Sequence, residues 1–280
     1  MRKSRRWFGA AGITAIAAAL AVLVLVGGAS AKTGAQAAGN PYKLNDPTTL
    51  VVGMNLQYKP EMYLDKKGQP AGYDVVLVKA LAKAMGVKLK IQNLDFNGLI
   101  PGLVSKKFDM VSVGLTPTPE RKKAVSFSRS YVPYAQILAE QSSDTTPATI
   151  AAWNDASKTI TSLQGSTAEQ LVMKTFPNAT SKSFPDQNAA FLEVATGRAN
   201  GIVVENYLLA QFNKSNPGKL KQAAFAKPLH VEYGSWAVQK GNTALTKFQN
   251  SFICKYQANG KLASIYKSTE GAPLPPMPHC

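Results

Sequence analysis

Apolar and polar positions change period repeatedly along this chain. Leu50 to Gly53 is a short apolar run with β-branched residues, the pattern of a buried strand. A helix is predicted over Val75 to Met85, with Asp74 standing where an N-cap belongs and Gly86 where the helix stops. Val87 to Ile91 alternates apolar and polar, a second strand. Leu99 to Val104 predicts a short helix ending near Lys106-Lys107, and Asp109 to Val113 a third strand. The order βαβαβ implies a parallel sheet with helices on its faces.

Thr118-Pro119-Glu120-Arg121 reads as a helix start, Thr as cap and Pro in the first turn. Gln136 to Ala139 enters another strand, and residues 144–155 read as loop. A second α/β series follows: strand Thr159 to Leu163, helix from Ser166 to about Thr175, helix Gln187 to Thr196 and strand Gly201 to Val204. Tyr233 to Gln239 is a further strand, and Asn242 to Tyr266 predicts two helices interrupted at Asn259-Gly260. The fold class is α/β, in two series with no repeat at the sequence level.

Composition adds a leader and little else. The 280 residues, 45% apolar and 17% charged, leave room for one large domain or two small ones and exclude a disordered or fibrous chain. Arg2, Lys3, Arg5 and Arg6 open the chain, Phe8 to Gly28 carries no charge, and Ala29-Ser30-Ala31 is a small-residue cleavage pattern. This predicts a secretory signal peptide over residues 1–31, with a second candidate cut after Ala37. The apolar run is long enough for an uncleaved anchor, but its Gly and Ala content and the cleavage pattern favour removal. Ser4-Arg5-Arg6-Trp7-Phe8 fits a twin-arginine export signal and equally an ordinary basic start. Cleavage lowers the formal net charge from +16 to +12. The lysines are scattered and no aromatic-basic ladder accompanies them, so the charge reads as a solvated surface rather than a nucleic-acid site. In an oxidising compartment Cys254 and Cys280 are expected to be bridged, stapling the Pro-rich tail onto the last helices. His230 and His279 share no ligand spacing with them, so no metal site is expected.

Several residues carry binding chemistry. Arg121 offers a rigid fork of donors matched to a carboxylate, just after a Gly-Leu-Thr turn; alternatively Arg121, Lys122 and Lys123 form one solvated basic face. Gln164-Gly165-Ser166-Thr167 is either a second anion seat at a helix start or a plain cap. Glu205 ends a strand where open α/β sheets place ligands, or is a surface acid. Tyr58 and Phe96 each follow a strand and either clasp a planar or apolar group or belong to the core.

Taken in order, the blocks GYDVVLVKALAKAMG, FNGLIPGL, LTPTPERKKAVSFS, LQGST and GRANGIVVEN resemble the periplasmic amino-acid-binding proteins of ABC importers. The resemblance covers about Asp46 to Ser268. It implies a two-lobed type II periplasmic-binding-protein fold, each lobe a mixed, mostly parallel sheet flanked by helices, joined by a two-strand hinge. Residues 46–134 plus 235–280 would form lobe one and 136–232 lobe two, with crossings near Tyr134 and Tyr233-Gly234. In this family, Arg121 corresponds to the grip on the ligand α-carboxylate. Gly114 and Thr116 correspond to lobe-one positions bonding its polar ends, and Ser166 and Thr167 to the lobe-two anion seat. Glu205 matches the acid that takes the α-amino group, and Tyr58 and Phe96 match aromatics that stack on the side chain.

Three positions depart from the family pattern. Asn55 stands where many relatives have Asp for the α-amino group, and Glu205 is one methylene longer than the usual Asp. Glu61 replaces a usual aromatic residue and either pairs with a cationic ligand side chain or is a solvent-facing loop acid. The implied function is capture of a polar amino acid or close analogue by hinge closure, without cofactor, by a monomer in the periplasm that hands its ligand to an ABC permease. Two alternatives share the scaffold: an enzyme resembling cyclohexadienyl dehydratases, with Glu205 or Glu61 as general acid, and a soluble presenter of ligand to a sensory receptor.

Overall fold

The computed structural model describes residues 39–280; the expected signal peptide lies outside them. β1 (Thr49–Met54) is followed by the short strands β2 (Gln57–Tyr58), β3 (Met62–Leu64) and β4 (Pro70–Ala71), which form their own three-stranded sheet. Then come α1 (Tyr73–Met85), β5 (Lys88–Asn93), a 3-10 turn at Phe96–Gly98, α2 (Leu99–Val104), β6 (Met110–Leu115) and α3 (Pro119–Ala124). The long strand β7 (Val125–Gln141) leads to α4 (Ile150–Trp153), β8 (Thr159–Leu163), α5 (Thr167–Thr175), β9 (Thr180–Phe184) and α6 (Gln187–Ala195). β10 (Gly201–Glu205), α7 (Asn206–Ser215), β11 (Leu220–Gln222), β12 (His230–Gln239), α8 (Thr243–Ala258) and α9 (Lys261–Glu270) complete it.

The main sheet has the order β5-β1-β6-β12-β7-β10-β8-β9, with β11 added beside β7. β5, β1 and β6 are mutually parallel, as are β10, β8 and β9. Between these two parallel halves run β7 and β12, antiparallel to each other and to their outer neighbours β10 and β6. The expected parallel α/β series are therefore both present, and two long strands join them.

Local chemistry explains most elements. α1 buries Leu77, Val78, Leu81, Ala82 and Met85, the stripe that a helix lays on a sheet. It ends at Gly86 in the left-handed conformation (φ 71°), with Val87 N–H bonded back to Ala82 O at 3.1 Å. Its start differs from expectation. The N-cap is Gly72, and Asp74 caps nothing: its fully buried carboxylate accepts from the hydroxyls of Ser112 and Tyr131. Trp236 Nε1 donates to the same Ser112 Oγ at 2.8 Å, so the aspartate anchors a polar network inside the core.

The pattern of Gln136 to Ala139 understated β7, which runs 17 residues. Both faces of this central strand are covered and Pro133 interrupts it, so the period-two alternation that marks a half-buried strand is missing. Pro133 is tolerated opposite Tyr233, next to the register shift after Gly234 in β12. The same crossing demands glycine: a Cβ on Gly234 would lie 2.6 Å from the Gly114 backbone. The strands β2–β4, β9 and β11 and the helix α4 also lacked a readable pattern, being short or polar on most positions; α7 was passed over although Leu208, Leu209 and Phe212 form a buried helical stripe.

Cys254 on α8 is bonded to Cys280 (Cα–Cα 5.6 Å). The tail is held further by Gln257 Nε2 to Pro278 O at 2.9 Å and Arg129 Nη2 to His279 O at 2.6 Å. A 26-residue separation removes unfolded-chain entropy worth about 3 kcal/mol. Cys254→Ser is expected to lower the unfolding free energy by about that amount, measured by urea titration.

Candidate functional site

The two halves of the sheet face each other across one cavity. The end of β6 supplies Gly114 and Thr116, and α3 supplies Arg121. From the other half come Ser166 and Thr167 at the start of α5, Glu205 at the end of β10 and Glu232 on β12. The strand ends meet here because each parallel half delivers the carboxyl ends of its strands toward the crevice.

Arg121 is the charge at the centre. Thr118 caps α3, its hydroxyl accepting from Arg121 N–H at 3.2 Å, and Pro119 pre-sets the first turn. This rigid start aims the side chain inward, where only 8% of the residue stays exposed. Nη1 donates to Thr116 O at 2.9 Å and Nη2 to Gly165 O at 3.0 Å, so the guanidinium bridges the two halves. Its plane lies 5.7 Å from the centre of the Phe96 ring, within cation–π range. Burial lowers the pKa to about 10, against the opposing pull of Glu232 and Glu205, so Arg121 stays protonated at neutral pH. Its remaining N–H donors can take a carboxylate.

The start of α5 offers a second seat for negative charge. Ser166 Oγ accepts from Glu169 N–H at 3.2 Å and donates to Leu163 O at 2.7 Å, so its hydroxyl serves the cap. Thr167 Oγ1 accepts from Gln136 Nε2 at 2.9 Å and donates to Glu232 Oε1 at 2.8 Å. What the helix start presents to the cavity is therefore its first-turn backbone, at the positive end of the helix.

Two acids oppose Arg121. Glu205 is pushed up to about 7 by burial and then by Glu232, with Arg121 acting the other way. Glu232 is 5% exposed and its Oε1 also accepts from Gln136 Nε2 at 2.9 Å. Tyr58, Tyr134 and Tyr207 add aromatic walls, the last two with ring centres 6.0 Å apart. The buried Tyr58 hydroxyl and Gln187 Nε2 both line the cavity and have no hydrogen-bond partner among the described residues.

Of the residues singled out in the sequence, Tyr58, Phe96, Gly114 and Thr116 line this cavity, with Arg121, Ser166, Thr167 and Glu205. Asn55 and Glu61 do not. Asn55 Nδ2 donates to Leu94 O at 2.8 Å, tying the end of β1 to the chain leaving β5. Glu61 is neither solvent-facing nor in the cavity: it is 1% exposed, behind Tyr134, whose hydroxyl donates to Glu61 Oε2 at 2.7 Å. The turn between β2 and β3 folds it inward, because its carbonyl accepts from Asp74 N–H at 3.0 Å at the start of α1. The sequence reading missed Tyr134, Gln187, Tyr207 and Glu232. Glu232 immediately precedes the strand expected from Tyr233, so carrying that strand back would have placed it; Tyr134 and Tyr207 carry no local signal.

Residues 50–270 match the sequence profile of the bacterial extracellular solute-binding proteins, family 3. The arginine-binding extracellular protein ArtP of Bacillus subtilis (strain 168) is 31% identical over 222 residues, 78% of this chain and 84% of that one. An ancestral arginine-binding protein, solved bound to arginine, superposes with a TM-score of 0.73 at 32% identity, covering 79% of this chain and 98% of its own. The ancestral amino-acid-binding protein AncCDT-1, a precursor of cyclohexadienyl dehydratase, superposes with a TM-score of 0.72 at 31% identity, covering 79% and 95%.

The raised pKa of Glu205 ties stability to pH. The unfolded chain releases this proton near 4.5 and the folded one near 7, so between those values the folded state binds more protons. The stability contributed by the protonated form is complete below 4.5 and is lost as pH rises through about 7. Glu205→Gln is expected to reduce the loss of unfolding free energy between pH 5 and pH 8 by roughly 2 kcal/mol, measured by urea titration at both values.

Proposed function

The chain belongs to the bacterial extracellular solute-binding proteins of family 3, and we propose that its cavity captures an amino acid with a cationic side chain for an ABC importer. The observation that carries this reading is the charge count in the cavity: one guanidinium, Arg121, against two carboxyls, Glu205 and Glu232. A zwitterion uses Arg121 for its carboxylate and one acid for its α-amino group, which leaves the second acid unmatched. A second cation on the ligand neutralises it, and burying an unmatched charge costs several kcal/mol. The relatives named for arginine support the same choice. The acid sought at position 61 is thus supplied from 232 instead.

Binding proceeds by hinge closure. Residues 46–134 plus 235–280 act as one lobe and 136–232 as the other, pivoting where β7 and β12 cross near Tyr134 and Tyr233-Gly234. Few direct polar contacts hold the mouth: Arg121 to Gly165 O, Asn97 Nδ2 to Gln164 Oε1 at 3.4 Å, and Gln187 N–H to Gln57 Oε1 at 3.4 Å. Opening therefore breaks little, and a ligand entering between the lobes replaces what is lost. Residues 1–31 direct export and are cleaved near Ala31. The mature chain works in the periplasm as a monomer that docks on the permease, and it binds rather than transforms its ligand. Among the described residues no helix is long and apolar enough to cross a membrane.

The test strips bound ligand by unfolding and refolding, then follows thermal unfolding with single amino acids. Arginine, lysine or histidine at a hundredfold above its dissociation constant is expected to add about 2.7 kcal/mol of stability, and glutamate none. A response confined to acidic or neutral amino acids overturns the cationic assignment, and turnover of prephenate or arogenate overturns the binding-only reading. Arg121→Ala is expected to abolish binding in calorimetry while leaving the circular dichroism spectrum unchanged.

A further inference from the structure

Behind the Tyr134 wall of the cavity lies a second group of acids that ligand capture leaves unused. Glu61 Oε2 accepts from Tyr134. Beside it is Asp74, whose Oδ1 is taken by Ser112 and Tyr131 while its buried Oδ2 has no donor among the described residues. The two residues are joined through the backbone, Asp74 N–H donating to Glu61 O at 3.0 Å, and each buried carboxyl lies within the electrostatic reach of the other. α9 brings a third acid, Glu270, whose buried Oε1 also has no donor among the described residues.

The groups facing this cluster are almost all neutral or acidic. α1 adds Tyr73 and α9 adds Tyr266. β7 contributes Tyr131 and Tyr134, and α7 contributes Tyr207. Glu205, at the end of β10, adds negative charge from the cavity side, and Lys214 acts on Glu270 with the opposite sign. Two carboxylates side by side in such surroundings repel each other without a compensating charge. One proton held between them removes the repulsion and supplies the donor that Asp74 Oδ2 lacks.

We propose that Glu61 is a positioning residue for ligand binding: it shares one proton with Asp74, and in that form it holds the Tyr134 ring as a wall of the ligand cavity. The position matters because Tyr134 is packed against the end of β6. A Cβ on Gly114 would lie 1.8 Å from the Tyr134 hydroxyl oxygen, so the ring and the ligand-facing turn at Gly114 and Thr116 have no slack between them. When the shared proton leaves, Asp74 stays pinned by Ser112 and Tyr131, Glu61 is repelled, and Tyr134 loses its acceptor. Burial pushes Asp74 up to about 6 and Glu61 well above the usual carboxylate range, so the shared proton is kept to a higher pH than an ordinary carboxyl would keep it.

This inference rests on the cavity being the ligand site, and its test separates the two. Arginine affinity is measured by calorimetry at pH 6 and pH 8.5 for the unaltered chain, Glu61→Gln, Asp74→Asn and Tyr134→Phe. A glutamine at 61 donates to Asp74 and accepts from Tyr134, imitating the protonated acid. The unaltered chain is expected to bind at least about fivefold more weakly at pH 8.5 relative to Glu61→Gln, with the two alike at pH 6; each tenfold corresponds to about 1.4 kcal/mol. Asp74→Asn should behave as Glu61→Gln does, and Tyr134→Phe should lose the pH difference together with part of its affinity at pH 6. Glu205 and the ligand amine titrate in all four chains, so the comparison isolates Glu61. Parallel pH profiles in the unaltered chain and Glu61→Gln overturn the inference and leave the ligand site intact. If a folded protein binds no amino acid at either pH, the ligand reading and the positioning role both fall. Ligand-free thermal unfolding at the two pH values then still reads the shared proton, as a stability loss at pH 8.5 that Glu61→Gln lacks.

Discussion

Arg121 is a permanent positive charge carried into a largely buried space, and much of the cavity answers to it. Its guanidinium holds Thr116 O from one half and Gly165 O from the other, so the same side chain organises the cavity and links its two sides. Leaving such a charge unmatched costs several kcal/mol, and Glu205 and Glu232 act on it from the opposing half. The capped start of α3 makes the placement rigid, since Thr118 and Pro119 fix the first turn before the side chain extends inward.

The second constraint is the crossing of β7 and β12. These strands are shared by two parallel half-sheets that otherwise have separate edges. At the crossing the backbones approach so closely that Gly114 and Gly234 admit no side chain, and Tyr134 fills the space beside them. The cavity wall, the strand crossing proposed as the pivot and the buried acids behind Tyr134 are therefore neighbours. A change in one is felt by the others through contacts that cannot slide independently, because close-packed interiors are not continuously deformable.

Buried polar atoms without a partner among the described residues occur both at the cavity and in the core, Asp74 Oδ2 among the latter. At the cavity, the Tyr58 hydroxyl and Gln187 Nε2 are buried without a partner among the described residues. In the core, Asp74 is gripped by Ser112 and Tyr131, and Trp236 reaches the same serine. For the first set, a ligand that left those groups unpaired would bind more weakly. The second set fixes the arrangement of α1, β6, β7 and β12 on which the cavity is built.

Much of this was legible in the chain alone. β1, β6, β8 and β10 were legible as short runs rich in β-branched residues, and α1 and α5 by a Gly stop and a Ser cap, signals that are all local. The placing of Arg121, Glu205, Ser166 and Thr167 at the ends of elements was legible for the same reason, although the residues alone left a solvated basic face, a surface acid and a plain cap open. The full length of β7 was not, because a strand covered on both faces loses its alternation. Nor were Glu232 and Tyr134 as cavity walls, since they reach the cavity only through the pairing of two strands about 100 residues apart in sequence. The fate of Glu61 shows the division most clearly. Its sequence position allowed a ligand contact or a solvated loop; tertiary packing chose neither and buried it against Asp74 and Tyr134. A side chain's charge can be read from sequence, but whether that charge meets water, a ligand or another acid depends on which distant segments are folded over it.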